Sequence, residues 1–492
     1  MTDAAIDTSR PNVLLIATDH LRSDWLGCNG NRLVMTPQID ALAREGITFQ
    51  GAFSECPVCV PARRILMTGK NQYRVNMLQN VDWQPFPEGP KLAEVMTRSG
   101  YQSYAVGKLH THPQRNRIGF EDVLLNEEGR RQDGIIRDDY EEFLAREGRQ
   151  GSTWSHGLGN NQYALRMNPL PTQLTTTHWT GQGAMDFLDR RDPTRPFFLY
   201  MSFDKPHPPI TPSQEFYELY REVSFPPPVM GDWCGSTVPT EIRLKRLRNE
   251  WEHIRGNEGF IQQIYRGVAA MITHIDSVIG NVLGHIREMG LLDNTAVIFV
   301  SDHGDNLFDH GDFAKEDFFR GSANIPFVVR PPRSLVDGGG AQYGLVNETT
   351  PVALQDVMPT ILELCGMTPP EDMDGSSLVP FLRDGSAPFR EYTLGTCVSS
   401  YCINDGRYKY LWFADDDLEL MFDVHTDKND CHDLARDPAH RAEKNELRER
   451  LIRALIASGD KNVEDGRLKQ RPVNVDEALL RANKGWNNRG RH

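Results

Sequence analysis

The sequence predicts an α/β protein: a large central, mostly parallel mixed sheet flanked by helices, with a small C-terminal antiparallel sheet plus helix. Three observations predict it. Short apolar runs alternate with amphipathic helical stretches through residues 1–390. Two of those runs, Asn12–Thr18 and Ala296–Val300, are nearly continuously apolar, as strands covered on both faces are. After Arg390 the pattern changes to short, turn-linked strands at Tyr392–Leu394, Tyr408–Trp412 and Glu419–Asp423, closed by a helix over Glu443–Ser458. The expected organisation is a main α/β domain over 1–390, a small α+β unit over 391–460, and a polar arm over 461–492. The arm's Trp486, Arg489 and Arg491 suit subunit contacts in a homo-oligomer.

The first strand ends in Asp19-His20, which places two polar side chains at its C-terminal edge, where open α/β sheets take their ligands. Thr36 and Pro37 open a helix whose inward stripe is Ile39, Leu42 and Ala43, ended by Gly46. Leu92–Arg98 reads as a helix stopped near Gly100, followed by a strand at Tyr104–Val106 that runs into Gly107-Lys108. Met185–Leu188 lies on a helix that precedes the strand Phe197–Met201. From Ser224 to Phe260 the chain is first proline-rich and then highly charged, and is expected to be a surface excursion lining or covering the site. The strongest helical periodicity runs from Ile264 to Glu288, with Val268, Met271, Ile272, Ile275, Ile279, Val282 and Ile286 on one stripe. It leads to the strand Ala296–Val300 and the polar cluster Ser301-Asp302-His303-Gly304.

Composition narrows the function. The 492 residues are 39% apolar and 25% charged, too apolar for a mainly disordered chain. With 54 basic and 68 acidic residues the net charge is -14, which argues against nucleic acid or an anionic membrane as partner. An anionic substrate therefore needs a local cluster of cations. Eight scattered cysteines do not make a disulfide framework, and Met1–Pro11 lacks the residue order of a secretory signal. No apolar run approaches the ~20 residues of a membrane span, so a cytoplasmic protein is expected.

Asp19-His20 and Asp302-His303 each follow an apolar strand. Two such ends in one sheet can meet around a divalent ion held by carboxylates and imidazoles, while caps and turn residues are the plainer explanation. In Cys59-Val60-Pro61-Ala62-Arg63, Pro61 can start a helix with Cys59 at its N-terminus and Arg63 one turn on, over the same spot. A simple zinc ligand is the alternative for Cys56 and Cys59, weakened by the lack of a second Cys-x-x-Cys.

Cys59-Val60-Pro61-Ala62-Arg63 with Thr68-Gly69 resembles the activation signature of the type I, formylglycine-dependent sulfatases of the alkaline phosphatase superfamily. Asp19, Gly107-Lys108-Leu109-His110, Pro206-His207-Pro208, and Ser301-Asp302-His303-Gly304 with Lys315 resemble further family motifs in the same order. The similarity runs from about Pro11 to Arg450. It implies that Cys59, converted to formylglycine by a separate generating enzyme, is both nucleophile and metal ligand. Asp19, His20, Asp302 and His303 complete the implied metal set, for calcium or, given the imidazoles, manganese. Arg63 supports the nucleophile; Lys108, His207 and Lys315 contact the substrate, His207 or Lys315 assists departure of the alcohol or phenol, and His110 takes the proton that releases sulfate. His20 stands where many sulfatases have a second aspartate, and His303 matches relatives that hydrolyse phosphonate monoesters. Lys108 and His110 resemble true sulfatases, whereas Gln79-Asn80 is similar to the phosphonate group, with Asn80 placed to donate to a non-bridging oxygen. The resemblance thus implies hydrolysis of an aryl or alkyl sulfate monoester; hydrolysis of phosphonate monoesters or phosphate diesters at the same site is the alternative.

Overall fold

The computed structural model describes residues 10–473, apart from 82–83, 131–136 and 236–237. The main sheet has eight strands: β1 (Asn12–Asp19), β2 (Ile47–Phe49), β3 (Gln102–Gly107), β4 (Asp122–Leu125), β5 (Phe197–Pro206), β6 (Thr295–Ser301), β7 (Phe327–Arg330) and β8 (Leu345–Asn347). Their spatial order is β4-β3-β5-β1-β6-β7-β2-β8. Every neighbouring pair is parallel except the two made by β7. Strands β3, β5, β1 and β6 therefore lie side by side with their C-terminal ends on one edge.

The alternation expected of a covered strand is plain in β1. Val13, Leu15 and Ala17 enter one apolar layer and Leu14 and Ile16 the other, all at 1% exposure or less. The first layer is closed by α2 (Cys59–Thr68) and the helix Val357–Leu364, the second by the helices Pro37–Arg44, Thr176–Arg190 and Glu258–Glu288. A Leu→Ala change at such a site costs about 2–5 kcal/mol, because the two layers leave little room to collapse.

The long central helix begins at Glu258, six residues before the apolar stripe becomes legible, because Asn257 caps it by accepting the Phe260 N–H. Its 31 residues make it long and apolar enough to cross a bilayer, contrary to the expectation that no run approaches that length, yet 78% of its apolar stretch is buried inside the protein. The segment 224–260 departs from the expected surface excursion. It folds into the helices Thr240–Arg248 and Trp251–Ile254 and buries Trp233, Ile242, Lys245 and Trp251. Its charges read as solvent-facing, but Glu241, Ile242 and Lys245 share a helix face turned inward, where Lys245 meets carboxylates of the main domain.

The C-terminal unit is an antiparallel sheet of β9 (Thr393–Cys397), β10 (Ser400–Asn404), β11 (Tyr408–Phe413) and β12 (Leu418–Asp423), packed under the helix Arg441–Ala457. Strand β10 goes unread in the sequence because Ser400–Asn404 is short and half polar. Leu447, Leu451 and Leu455 pack on Tyr401, Tyr410 and Trp412. The expected arm starts as a small hairpin, with Val463–Glu464 paired to Arg467–Leu468, and Asn462 donates to the Tyr401 hydroxyl. Residues 474–492, with Trp486, Arg489 and Arg491, lie outside the described residues.

Candidate functional site

Four adjacent strand ends build the site: β3 delivers Lys108, β5 His207, β1 Asp19 and β6 Asp302, and all of these residues are buried. Facing them is the first turn of α2, which begins at Cys59 and carries Arg63 one turn later on the same side. Asn80 braces that turn. Its Oδ1 accepts the Val60 N–H at 3.0 Å, so the side chain expected to meet a substrate oxygen has its carbonyl committed to the helix start.

Around Cys59 the distances are short. Its Sγ lies 3.3 Å from His303 Nε2, 3.6 Å from Asp19 Oδ1 and 2.9 Å from Lys315 Nζ. His303 Nε2 is in turn 3.5 Å from Asp19 Oδ1 and from Asp302 Oδ1. The His303 Nδ1–H donates to the Gly304 carbonyl at 2.9 Å, which turns the Nε2 lone pair inward. Asp19, Cys59, Asp302 and His303 thus present four convergent donor atoms within 4.8 Å of one another, a set that fits a divalent cation.

Arg63 organises the carboxylates. Its guanidinium donates to Asp302 Oδ2 at 3.0 Å and Asp19 Oδ2 at 3.4 Å, and to Ser202 Oγ at 2.7 Å and the Lys108 carbonyl at 2.9 Å. With both Oδ2 atoms so engaged, Asp19 Oδ1 faces the thiol, while Asp302 Oδ1 accepts the His20 and His303 N–H groups at 3.3 and 2.9 Å. Against the cost of burial, Lys315, Lys108 and His303 hold the Cys59 thiol well below its usual range. Lys108 bonds Asp19 Oδ2 and reaches Glu128 Oε2 at 3.1 Å. His110 also reaches the thiol, and its own backbone N–H donates to Glu127 at 2.7 Å.

His20 falls outside the four-donor set. Its ring stands 4.8 Å from those of His207 and His303, and with Asp19 and His207 it forms a second group of convergent donors. Its Nε2 is 3.5 Å from Asp305 Oδ2, and neither ring nitrogen has a hydrogen-bond partner among the described residues. A backbone φ of 74° at His20 swings the imidazole sideways, a turn that spacing cannot reveal. Lys205 is no free surface cation: its Nζ donates to the His207 carbonyl at 3.0 Å. His310 organises its loop, with Nδ1 accepting the Gly231 N–H at 3.2 Å.

Glu128, Arg130 and Asp305 are the residues sequence reasoning missed. Glu128 touches Lys108, Arg130 at 2.8 Å and His207 Nδ1 at 3.7 Å. Arg130 also bonds His110 Nε2. The signal that found Asp19 was available for Glu128 as well, since Asn126–Glu128 follows the end of β4 on the same sheet edge, but four residues make a faint strand. Trp179 and Trp233 are packed in the interior. Trp154 lies against Gly129, where an added Cβ would meet its ring at 2.7 Å.

The charges nearly cancel. Asp19, Asp302, Glu128 and Asp305 face Arg63, Lys108, Lys315 and Arg130, so a bound divalent ion would leave the centre positive overall, as an anionic ester requires.

Comparison with known proteins shows what the chain as a whole is similar to. The family profile described as Sulfatase matches residues 11–367, and one described as N-sulphoglucosamine sulphohydrolase, C-terminal, matches residues 308–456. An arylsulfatase of Clostridium perfringens is 33% identical over 469 residues, covering 91% of this chain and 94% of that protein. The multifunctional alkaline phosphatase superfamily protein PehA of Trinickia caryophylli is 27% identical, covering 92% and 97%. Among solved structures, the phosphonate monoester hydrolase of Agrobacterium radiobacter superposes with a TM-score of 0.76 at 23% identity, covering 94% of this chain and all of that one.

Proposed function

The chain belongs to the sulfatase family, and on that premise we propose that it hydrolyses a sulfate monoester at the centre around residue 59, with Cys59 converted to formylglycine. One observation carries the reading. The side chain of residue 59 sits at a helix start, in contact with Lys315 and with the three other donors of a cation set. When present, the cation stabilises negative charge developing on the transferring group, and the hydrated aldehyde of residue 59 provides the attacking hydroxyl. Cys59 Sγ marks the position of that hydroxyl's oxygen.

The other residues act on substrate and protons. Arg63 holds the carboxylates of Asp19 and Asp302 beside the reacting centre. Lys108 and Lys315 neutralise the sulfuryl oxygens. His207 donates from Nδ1 to the Pro208 carbonyl at 2.6 Å, and burial together with Lys315 holds its pKa below the usual value. Its Nε2 is therefore an acceptor at neutral pH, and the proton for the departing oxygen comes from Lys315 Nζ. His110, fixed by Glu127 and Arg130, takes the proton that leaves residue 59 as sulfate is released.

Donor chemistry bears on the metal. The carboxylates of Asp19 and Asp302 are hard oxygen donors that would suit calcium. Manganese is the competitor because of the His303 imidazole, and elemental analysis of the purified protein decides between them. Peptide mass spectrometry tests the nucleophile: formylglycine at position 59 is lighter than cysteine by ~18 Da. An active preparation holding only cysteine there would end this mechanism. His303 and the likeness to a phosphonate monoester hydrolase favour a second reading, hydrolysis of phosphonate monoesters or phosphate diesters. Rates on aryl sulfate, phosphonate and phosphate diester substrates with one common leaving group rank the two.

A further inference from the structure

The loop carrying Lys315 is held in an uncommon shape. Between residues 307 and 316, five residues with side chains have positive φ: Leu307 (43°), Phe308 (72°), His310 (57°), Ala314 (60°) and Glu316 (83°). Such a conformation is disfavoured for every residue with a Cβ, so it persists only where the surroundings fix it.

Much of that fixing comes from the helix Thr240–Arg248. Lys245 Nζ lies 3.0 Å from Asp312 Oδ2 and 2.6 Å from Asp317 Oδ2, and Asn306 Nδ2 donates to the same two oxygens at 3.0 and 2.8 Å. These carboxylates stand three residues before and two residues after Lys315. All three charged groups are buried, with Asp312 and Asp317 at 0% exposure. Two carboxylates so placed repel each other; burial and Asp317 push the Asp312 carboxyl up to about 8, so that it shares its proton with Asp317, and the Lys245 ammonium lies between the two as their buried cation. Next to it, Arg246 donates to the carbonyls of His310 and Gly311. The helix thus holds the loop in the middle of its strained stretch, at 310–312, and just past its C-terminal end, at Asp317.

We propose that Lys245 is a positioning residue for Lys315: by bridging Asp312 and Asp317 it holds the loop so that Lys315 Nζ stays against residue 59 and the bridging oxygen of the ester. This rests on the reading that Lys315 protonates the leaving oxygen. Loss of the bridge lets the loop relax and moves the ammonium off target, which weakens catalysis most for esters whose leaving group depends on that proton.

The test uses the purified, metal-loaded full chain and a series of aryl sulfates of rising phenol pKa. Lys315→Ala should make the rate depend steeply on leaving-group pKa. Lys245→Met should steepen it too, with kcat down about tenfold to a hundredfold on the poorest leaving group and less than about threefold on the best. Lys245→Arg should restore a slope near wild type. A wild-type slope in Lys245→Met beside a steep one in Lys315→Ala removes the clamp alone. A wild-type slope in Lys315→Ala removes the role of Lys315 itself, and the clamp with it. Should Lys245→Met fail to fold, Lys245→Gln carries the same comparison, together with hydrogen exchange of the peptide 305–317. Exchange no faster than wild type there overturns the proposal.

Discussion

Arg63 offers the sharpest test of how the site's charges are balanced. Its guanidinium is 2% exposed and bonded to Asp302 and Asp19, both at 0%. Arg63→Met keeps similar bulk but leaves two buried carboxylates without their shared cation, a change that costs about 3–5 kcal/mol when a buried pair is broken. For 492 residues the entropy of unfolding is about 1 kcal/mol per kelvin, so the metal-stripped variant should melt about 3–5 °C below metal-stripped wild type. A divalent ion held by Asp19 and Asp302 would replace part of the missing charge. Metal should therefore raise the melting temperature of Arg63→Met by more than it raises that of wild type. Calorimetry of both proteins, with and without chelator, measures the two increments. Equal increments, or a stripped variant as stable as stripped wild type, would mean that Asp19 and Asp302 do not depend on Arg63 and do not share one cation.

Two further changes probe the surroundings. Glu128→Gln removes a carboxylate that faces Lys108, Arg130 and His207; steady-state kinetics should show kcat down about tenfold as those groups lose their common anchor. KM for an anionic ester should fall as well, since a negative charge leaves the pocket, and a raised KM with unchanged kcat would contradict this account. Burial pushes the Glu55 carboxyl up from 4.5 to about 7, although it accepts N–H bonds from Leu354 and Gln355. A raised carboxyl adds stability that is complete below its unfolded value and is lost as pH climbs through 7. Between about pH 4.5 and about pH 8.5 this group should remove about 3 kcal/mol. Wild type should accordingly lose about 3 °C more than Glu55→Gln across that window in thermal melts; parallel profiles would show that Glu55 does not titrate with folding.

Much of the site was legible because it lies where local pattern is strongest. An apolar run covered on both faces announces β1 and β6, and the polar residues that end such runs, Asp19 and Asp302, are forced to the ligand edge. Pro61 and the spacing of Cys59 and Arg63 announce a helix start with both side chains on one side. Glu128 and Lys245 were illegible for the opposite reason. Each is a charged residue in a charged stretch, and such stretches normally face water; both are buried because partners from β3, β5 or the Lys315 loop meet them there. His20 was read as a candidate metal ligand from its place beside Asp19, but its neighbours depend on one backbone angle.

The sequence by itself determined the main element types, the mostly parallel sheet and a set of candidate residues at the strand ends, since periodicity and strand-end polarity are local consequences of burial. Only the tertiary structure decided that four strand ends from distant parts of the chain stand side by side, that His20 turns towards His207, and that the charged 240–248 helix packs inward against the Lys315 loop. Those outcomes depend on strand order and on pairs of charges stable in a low-dielectric interior only when both members arrive together, and no single stretch of sequence carries both members.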